Sequence, residues 1–298
     1  SNQPKGRLKA SKSSLQPAPP FTAQNPNAGC HRSESYDLGL LLLSGCPKGR
    51  LKGYLPPLFN QIQKAMKKYI MTLLAAISLS AQAVPVFNIF ELGIQPGQTA
   101  AYDEVGKNNI TASVRGEKGT LAMYSAKRQD NPETAYMFEI YVDNEAYQAH
   151  IQSPQYKNFL QKSPAILTDH KRKISVEPQF LLDKRVNQTP NTINNLVIVD
   201  VKPEHAQAFK DIVMSEMAQS LQAESGVLTI YAATEQNNPN RWYFYEIYAS
   251  GSAYQSHCQT PHFQDYLKHT ADMTTNRESI AITPAFLMNK GGLRFERR

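Results

Sequence analysis

The sequence predicts an α+β fold made of two tandem copies of one β-α-β-β-α-β module. Sliding the chain against itself by 107 positions aligns two long segments without a gap, which is the signature of an internal repeat. Both segments show the same succession of β-branched apolar runs, helical periods and turn residues. The matched pairs include Glu117 with Glu224, Gly119 with Gly226, Tyr124 with Tyr231, Tyr136 with Tyr243, Glu139 with Glu246, Tyr147 with Tyr254, and His150 with His257.

The first half of each copy is predicted to be a strand, a helix and a second strand. Each first strand is apolar and rich in β-branched residues, and a proline follows it that stops strand pairing and can open a helix. Each helix has apolar residues at roughly helical spacing and ends near a glycine. In chain order these elements are Phe87–Ile94, Thr99–Val114 and Thr120–Lys127, then Leu196–Val201, Glu204–Ala223 and Val227–Thr234.

The second half of each copy begins with a hairpin, because an Asn-Pro turn joins the second strand to the third. A short helix, another helical piece that starts at a proline, and a last strand complete the module. This order is that of the ferredoxin-like split βαβ unit, a four-stranded antiparallel sheet with its helices on one face. The third strands are Tyr136–Tyr141 and Trp242–Tyr248, the helical pieces lie near Tyr147, Pro154, Tyr254 and Pro261, and the last strands lie near Ser175–Leu182 and Ile280–Met288.

The open face of each sheet needs a cover, because an apolar sheet face must pack against another layer. Two sheets in one chain satisfy this need by packing on each other, which predicts an intramolecular pseudo-dimer. The first domain is placed at residues 84–185, the linker at 186–195 and the second domain at 196–298. Tyrosines at the matched positions of the hairpins, Tyr124, Tyr136, Tyr231 and Tyr243, are expected to be core aromatics rather than cofactor contacts.

The basic charge of the chain is concentrated in its first part. The whole sequence has 32 Lys and Arg against 25 Asp and Glu, a net charge of +7. Residues 1–65 hold nine of the basic residues against Glu34 and Asp37, whereas residues 84–298 hold 21 basic and 23 acidic residues. No nucleic-acid partner is therefore expected, because such binding needs a basic surface on the folded part.

Residues 66–83 have the order of a secretory signal peptide. Met66-Lys67-Lys68 is a basic start, Ile70–Leu79 is apolar, and Ala81-Gln82-Ala83 is a small-x-small cleavage pattern. An apolar helix of about ten residues spans only about 15 Å, roughly half of the bilayer core, so no permanent membrane span is expected. The alternative is a buried core helix. Cleavage would leave Val84 as the first residue of a periplasmic or secreted protein.

Residues 1–65 precede Met66, and the Pro- and Asn-rich stretch at 16–27 within them shows no helical or strand period. We expect them to be a disordered or non-native upstream segment, translated from a misplaced start site; the alternative is a genuine basic arm. Downstream of the signal peptide the sequence has Cys258 alone, so no internal disulfide is expected there.

Two strand-loop-helix segments carry a family resemblance. They run from Glu139 to Tyr156 and from Glu246 to Phe263, and both contain Glu-Ile-Tyr, Ala-Tyr-Gln, His and Pro at the same spacing. They resemble the signature of the antibiotic-biosynthesis-monooxygenase superfamily, especially its quinol-monooxygenase-like branch, and the resemblance covers residues 86–289. It implies an intramolecular dimeric α+β barrel. It also implies oxidation of a small aromatic or quinol-type substrate by O₂ without a metal, flavin or other cofactor, although other members are isomerases, haem degraders or binding proteins.

The resemblance points to His150 and His257 as the catalytic residues. A phenol must lose its proton before it can readily pass an electron to O₂, and histidine is suited to this base role. The substrate-binding residues are expected on the same helix face and on the preceding strand, where the acid would also orient the imidazole. They are Tyr147, Tyr254, Glu139 and Glu246.

Other interpretations of these residues stay open. The strand Glu, the helix His and the following Ser/Thr-Pro could form a hydrogen-bonded corner that holds helix to sheet. The sequence has no dinucleotide fingerprint, phosphate loop, paired-Cys metal spacing or nucleophile elbow, so neither a cofactor nor a metal is predicted. The alternative function is a non-catalytic periplasmic barrel that binds a small ligand or acts in stress, and further homo-oligomerisation stays open. The basic run at 170–173 is expected to be a solvated patch.

Overall fold

A computed structural model describes residues 84–297 of the chain. The predicted upstream segment 1–65 and signal peptide 66–83 lie outside the described residues. Among the helices of 84–297, none is both long and apolar enough to cross a membrane.

The described elements follow the predicted order in both copies. The first copy has β1 (Val86–Ile94), α1 (Thr99–Gly116), β2 (Thr120–Arg128), β3 (Thr134–Tyr141), α2 (Asn144–Ile151), α3 (Pro154–Ile166) and β4 (Leu167–Asp183). The second copy has β5 (Ile193–Val201), α4 (Ala206–Ala223), β6 (Val227–Glu235), β7 (Asn238–Tyr248), α5 (Gly251–Cys258), α6 (Pro261–Thr270) and β8 (Thr274–Asn289). Short 3₁₀ turns at Pro203–His205 and Ala271–Met273 precede α4 and β8, and a short strand β9 (Arg294–Glu296) follows.

The last strand of each copy begins earlier than the sequence pattern predicts. β4 starts at Leu167 rather than near Ser175, and β8 starts at Thr274 rather than near Ile280. The added residues are mostly polar and exposed, so they lack the alternation that marks a strand. Backbone pairing with β1 and β5 makes them strands, and that pairing depends on distant parts of the chain.

The strands β4 and β8 each cross from the sheet of their own copy into the sheet of the other. β4 pairs with β1 over 167–175 and with β6 over 176–183, while β8 pairs with β5 over 274–281 and with β2 over 282–289. The strand order β1-β3-β2-β8-β5-β7-β6-β4, with β4 paired back to β1, closes an antiparallel barrel of eight strands. The predicted intramolecular dimeric α+β barrel is confirmed.

Aromatic side chains fill the interior of the barrel. Tyr124, Tyr136, Tyr231 and Tyr243 are all buried there, which confirms their predicted core role. Tyr124 and Tyr231 are equivalent residues of the two copies, and their hydroxyl oxygens lie 3.3 Å apart. The Tyr231 hydroxyl also donates to the buried carboxylate of Asp183. The barrel interior is thus one packed core that both copies share.

The helices cover the outer faces of the sheets. In the second copy, α4 packs Phe209 and Met217 against the outward side chains of β7, Trp242 and Phe244. The short helices α2 and α5 each begin at a side-chain cap, because Asp143 accepts a hydrogen bond from the backbone of Ala146 and Ser250 does the same for Ala253.

Two glycines let these short helices approach the sheet closely. A Cβ atom at Gly119 would collide with Ala146, and one at Gly226 would collide with Ala253. Only glycine tolerates this approach of backbone to helix. This close approach lets α2 and α5 pack against the turns before β2 and β6. The histidine of each helix is thereby buried between that helix and the sheet.

Candidate functional site

A polar cluster lies between α2 and the outer face of the first sheet. His150 has an exposed fraction of 0%, and its ring centroid is 5.4 Å from that of Tyr141 and 5.0 Å from that of Tyr156. Glu139 on β3 is also buried and accepts a hydrogen bond of 2.9 Å from the Tyr141 hydroxyl. The Tyr147 ring lies 5.2 Å from the Tyr141 ring. The structure therefore brings the three sequence-predicted residues of the first copy together.

The carboxylate of Glu117, at the end of α1, orients the imidazole of His150. Both carboxylate oxygens lie 3.1 Å from Nδ1, and Gln155 and Thr120 donate to the same carboxylate. A carboxylate only accepts hydrogen bonds, so it holds the ring proton on Nδ1 and leaves a lone pair on Nε2. The expectation that Glu139 orients the imidazole is wrong, because Glu139 is bonded to Tyr141 and Glu117 reaches the ring nitrogen.

The other ring nitrogen of His150, Nε2, makes no hydrogen bond within the described residues. This atom is also buried. An unpaired buried polar atom costs about 1–3 kcal/mol. Nε2 is therefore an acceptor that is free, within the described part of the chain, for a group from outside it.

Burial controls the ionisation of the acid and the tyrosine in this cluster. It raises the pKa of Glu139, and the hydrogen bond from Tyr141 and the charge of Lys173 offset part of that effect. Burial also raises the pKa of Tyr141, and the neighbouring Glu139 carboxylate raises it further. Tyr141 is consequently a neutral hydrogen-bond donor to Glu139.

A cleft of about 380 Å³ opens beside the cluster. Its walls include Asn88 of β1, Tyr147 of α2 and Lys173 of β4. The ammonium nitrogen of Lys173 lies 5.1 Å from the centroid of the Tyr147 ring and 5.7 Å from that of Phe90. Lys173 is exposed, as predicted for the basic run, but it also lines the cleft. An ammonium group beside aromatic faces suits a flat ligand that carries negative charge.

The second copy repeats the central contacts. His257 is buried, and its Nδ1 lies 3.0 Å from Glu224, so Glu224 rather than Glu246 orients it. Glu246 accepts a hydrogen bond of 2.9 Å from Tyr248, and burial raises the pKa of Glu246. The ring of Tyr254 lies 5.1 Å from that of Tyr248. Both predicted sets of His, Glu and Tyr are therefore assembled in the same way.

The two copies differ around this shared centre. Glu216 Oε1 lies 4.0 Å from Nε2 of His257, and His262 Nε2 lies 2.8 Å from Glu224. The ring nitrogen that is unpartnered in the first copy thus faces a carboxylate in the second. The corresponding positions are Asn109 and Glu216, Gln155 and His262, and Lys173 and Ser279.

Sequence reasoning missed the site residues that come from other elements. Glu117 and Glu224 were visible as a repeated acid just before a repeated glycine, and that repetition could have indicated them. Lys173, Glu216 and His262 differ between the copies, so the repeat could not reveal them.

The fold and its sites define a class of protein, a single-chain α+β barrel with a buried histidine under a short helix in each half. The sequence profile of the family described as Antibiotic biosynthesis monooxygenase matches residues 85–162 and 193–269, together more than half of the chain. The chain belongs to this family, and each copy is one domain of it. The resemblance seen in the sequence is confirmed.

Two solved structures resemble the chain over most of its described length. A "putative monooxygenase" from Fusobacterium nucleatum subsp. nucleatum ATCC 25586 is 26% identical, has a TM-score of 0.69, and the match covers 72% of this chain and 99% of that one. One of the same description from Lactobacillus acidophilus NCFM is 28% identical, with a TM-score of 0.68 and coverage of 72% and 100%. No curated protein matches the chain. The family and these structures support a monooxygenase-like function in general terms.

Proposed function

We propose that the protein is an exported, cofactor-independent monooxygenase-like enzyme that oxidises a small aromatic or quinol-type substrate with O₂, and that its first copy is the catalytic half. The observation that carries this proposal is the hydrogen bonding of the two ring nitrogens of His150. Its Nδ1 is held by Glu117, and its buried Nε2 has no hydrogen-bond partner within residues 84–297. This is the arrangement of a histidine base with a carboxylate behind it.

The cleft lined by Asn88, Tyr147 and Lys173 provides a place for a phenol. The substrate ring packs against Tyr147, and the Lys173 ammonium favours the phenolate over the neutral phenol. Nε2 of His150 takes the phenol proton, and the Glu117 carboxylate stabilises the imidazolium that results. Because His150 is fully buried, the proposal requires the partly exposed Tyr147 side chain to shift together with the bound substrate ring, so that the phenol hydroxyl reaches Nε2.

The reaction needs only the substrate and O₂. The phenolate passes one electron to O₂, and the superoxide bonds to a ring carbon that carries hydrogen. That carbon then loses its hydrogen as a proton while the O–O bond breaks. One oxygen atom stays as the second carbonyl of a quinone, and the other leaves as water. O₂ is both the oxidant and the source of the inserted atom, so no separate reductant is consumed.

Oxygen uptake by the metal-free and flavin-free protein, with a panel of hydroquinones and polyphenols, tests the proposal. His150→Gln should lower the rate above the autoxidation blank about 10²–10⁴-fold, as expected for loss of a general base. His257→Gln is the matched control in the second copy and should change the rate far less. With ¹⁸O₂, one labelled oxygen should appear in the quinone.

Two outcomes would contradict the enzymatic proposal. Unchanged uptake in His150→Gln would remove the base assignment. If no compound of the panel causes oxygen uptake but some compounds still bind to the protein, and Lys173→Met weakens that binding, the alternative of a non-catalytic ligand-binding barrel is supported.

Export is the part of the proposal that rests on residues 66–83 alone. Intact-mass measurement of the native protein should give a chain that begins at Val84. A chain from cells that retains residues upstream of Met66 would contradict both the signal peptide and the misplaced start.

A further inference from the structure

Three side chains of the second copy converge at a point that the proposed reaction does not use. They are Glu216 on α4, His257 on α5 and His262 on α6, and one ligand atom of each lies within 4.8 Å of those of the other two. Their side chains are 7%, 2% and 10% exposed. A carboxylate and two imidazoles are thus gathered in a place that is nearly closed to solvent.

The first copy provides an internal comparison. Asn109, His150 and Gln155 occupy the same three positions there. Only the histidine is shared, and the two amides are poor ligands for a transition metal. The second copy therefore differs at two positions on different helices, and both differences bring a strong ligand to the same histidine.

We propose that Glu216, His257 and His262 bind one divalent transition-metal ion, with zinc as the ion that suits this ligand set. Two histidines and one glutamate are a ligand set that zinc takes in proteins. Glu224 lies 3.0 Å from Nδ1 of His257 and so directs Nε2 towards Glu216, which is how a carboxylate commonly orients a metal-binding histidine. The carboxylates of Glu216 and Glu224 also balance the double charge of the ion, as burial requires.

The side chains need only a small contraction to close around an ion. Ligand atoms at zinc distances lie roughly 3.3 Å apart, and here the separations are up to 4.8 Å. Ser220 donates a hydrogen bond of 2.6 Å to Glu216 and restrains its carboxylate at the site. Three protein ligands leave a fourth position for water or another small ligand.

Zinc titration of the chelator-treated full chain tests this inference independently of any oxidation activity. Calorimetry should show one equivalent of Zn²⁺ per chain, and Co²⁺ in its place should give the visible absorption of a tetrahedral site. Glu216→Gln and His262→Gln should each weaken binding at least tenfold. His262→Gln installs the residue type of the first copy, so its circular dichroism and thermal unfolding without metal should match those of the native chain.

Grafting the ligands into the first copy is the converse experiment. Asn109→Glu together with Gln155→His should raise the stoichiometry from one ion to two. The proposal is overturned if the native chain binds no Zn²⁺ at micromolar concentrations. It is equally overturned if one equivalent survives both Glu216→Gln and His262→Gln, because other histidines then hold the ion. An unchanged stoichiometry in a folded graft also counts against it.

Discussion

Removing the hydroxyl of Tyr231 should destabilise the barrel much more than removing the equivalent hydroxyl of Tyr124. Both rings are fully buried in the shared core, and their oxygens lie 3.3 Å apart. Tyr231 additionally donates to the carboxylate of Asp183, which is 9% exposed. Phenylalanine keeps each ring in place, so Tyr231→Phe and Tyr124→Phe form a matched pair that differs in the bond to the acid.

The magnitudes follow from the kind of hydrogen bond that each variant loses. Tyr124→Phe loses a neutral bond, for which about 0.5–1.5 kcal/mol is expected. Tyr231→Phe loses that bond and a bond to a buried carboxylate, whose removal costs about 1.5–3 kcal/mol. Asp183 keeps a hydrogen bond of 3.0 Å from the backbone of Leu293, which limits the loss. The free energy of unfolding of Tyr231→Phe should therefore be roughly 2 kcal/mol lower than that of Tyr124→Phe.

The pH dependence gives this prediction a sign as well as a size. Burial raises the pKa of Asp183, and the hydrogen bond from Tyr231 lowers it in part. An acid whose pKa is raised on folding stabilises the fold at low pH, and this contribution disappears as the pH rises through the folded pKa. Tyr231→Phe removes an interaction that favours the carboxylate, so its deficit should shrink as the pH falls through the raised pKa.

Urea unfolding of both variants and the native chain, at several pH values, measures these effects. The midpoint should fall while the slope m stays constant, since neither variant changes the area that unfolding exposes. Equal destabilisation by the two variants, or a Tyr231→Phe deficit that is independent of pH, would refute the assignment of a charged hydrogen bond to Asp183.

Two further predictions concern the layer between helices and sheet. Glu139→Gln should gain stability relative to the native chain as the pH rises through the raised pKa of Glu139, because the native acid must then ionise while buried; parallel midpoints at all pH values would contradict this. Gly119→Ala should destabilise by about 1–3 kcal/mol through its collision with Ala146. Gly106 lies in the middle of α1, and an added Cβ would meet no neighbouring atom there. Gly106→Ala should therefore stabilise the fold by about 0.5–1 kcal/mol. Thermal unfolding compares the two, and a stabilised Gly119→Ala would show that α2 is not held so closely.

The sequence alone determined the parts of this protein that repeat along the chain. The register of 107 positions, the order of strands and helices, and the burial of Tyr124 and Tyr231 all follow from local patterns that occur twice. Apolar periods and turn residues determine structure over a few neighbouring positions, so the sequence alone is enough to recognise them. The placing of His150 and His257 on short helices belongs to this group.

Only the tertiary structure decided which residues meet those histidines. The polar starts of β4 and β8 are strands because β1 and β5 pair with them, and this pairing carries Lys173 to the cleft. Glu117 at the end of α1 and Glu216 on α4 are distant in sequence from the histidines, whereas His262 lies on the helix that follows His257; all three reach the histidines only when these helices pack on the sheet. A one-dimensional pattern records which face of an element is apolar, but not which element of the chain will cover that face.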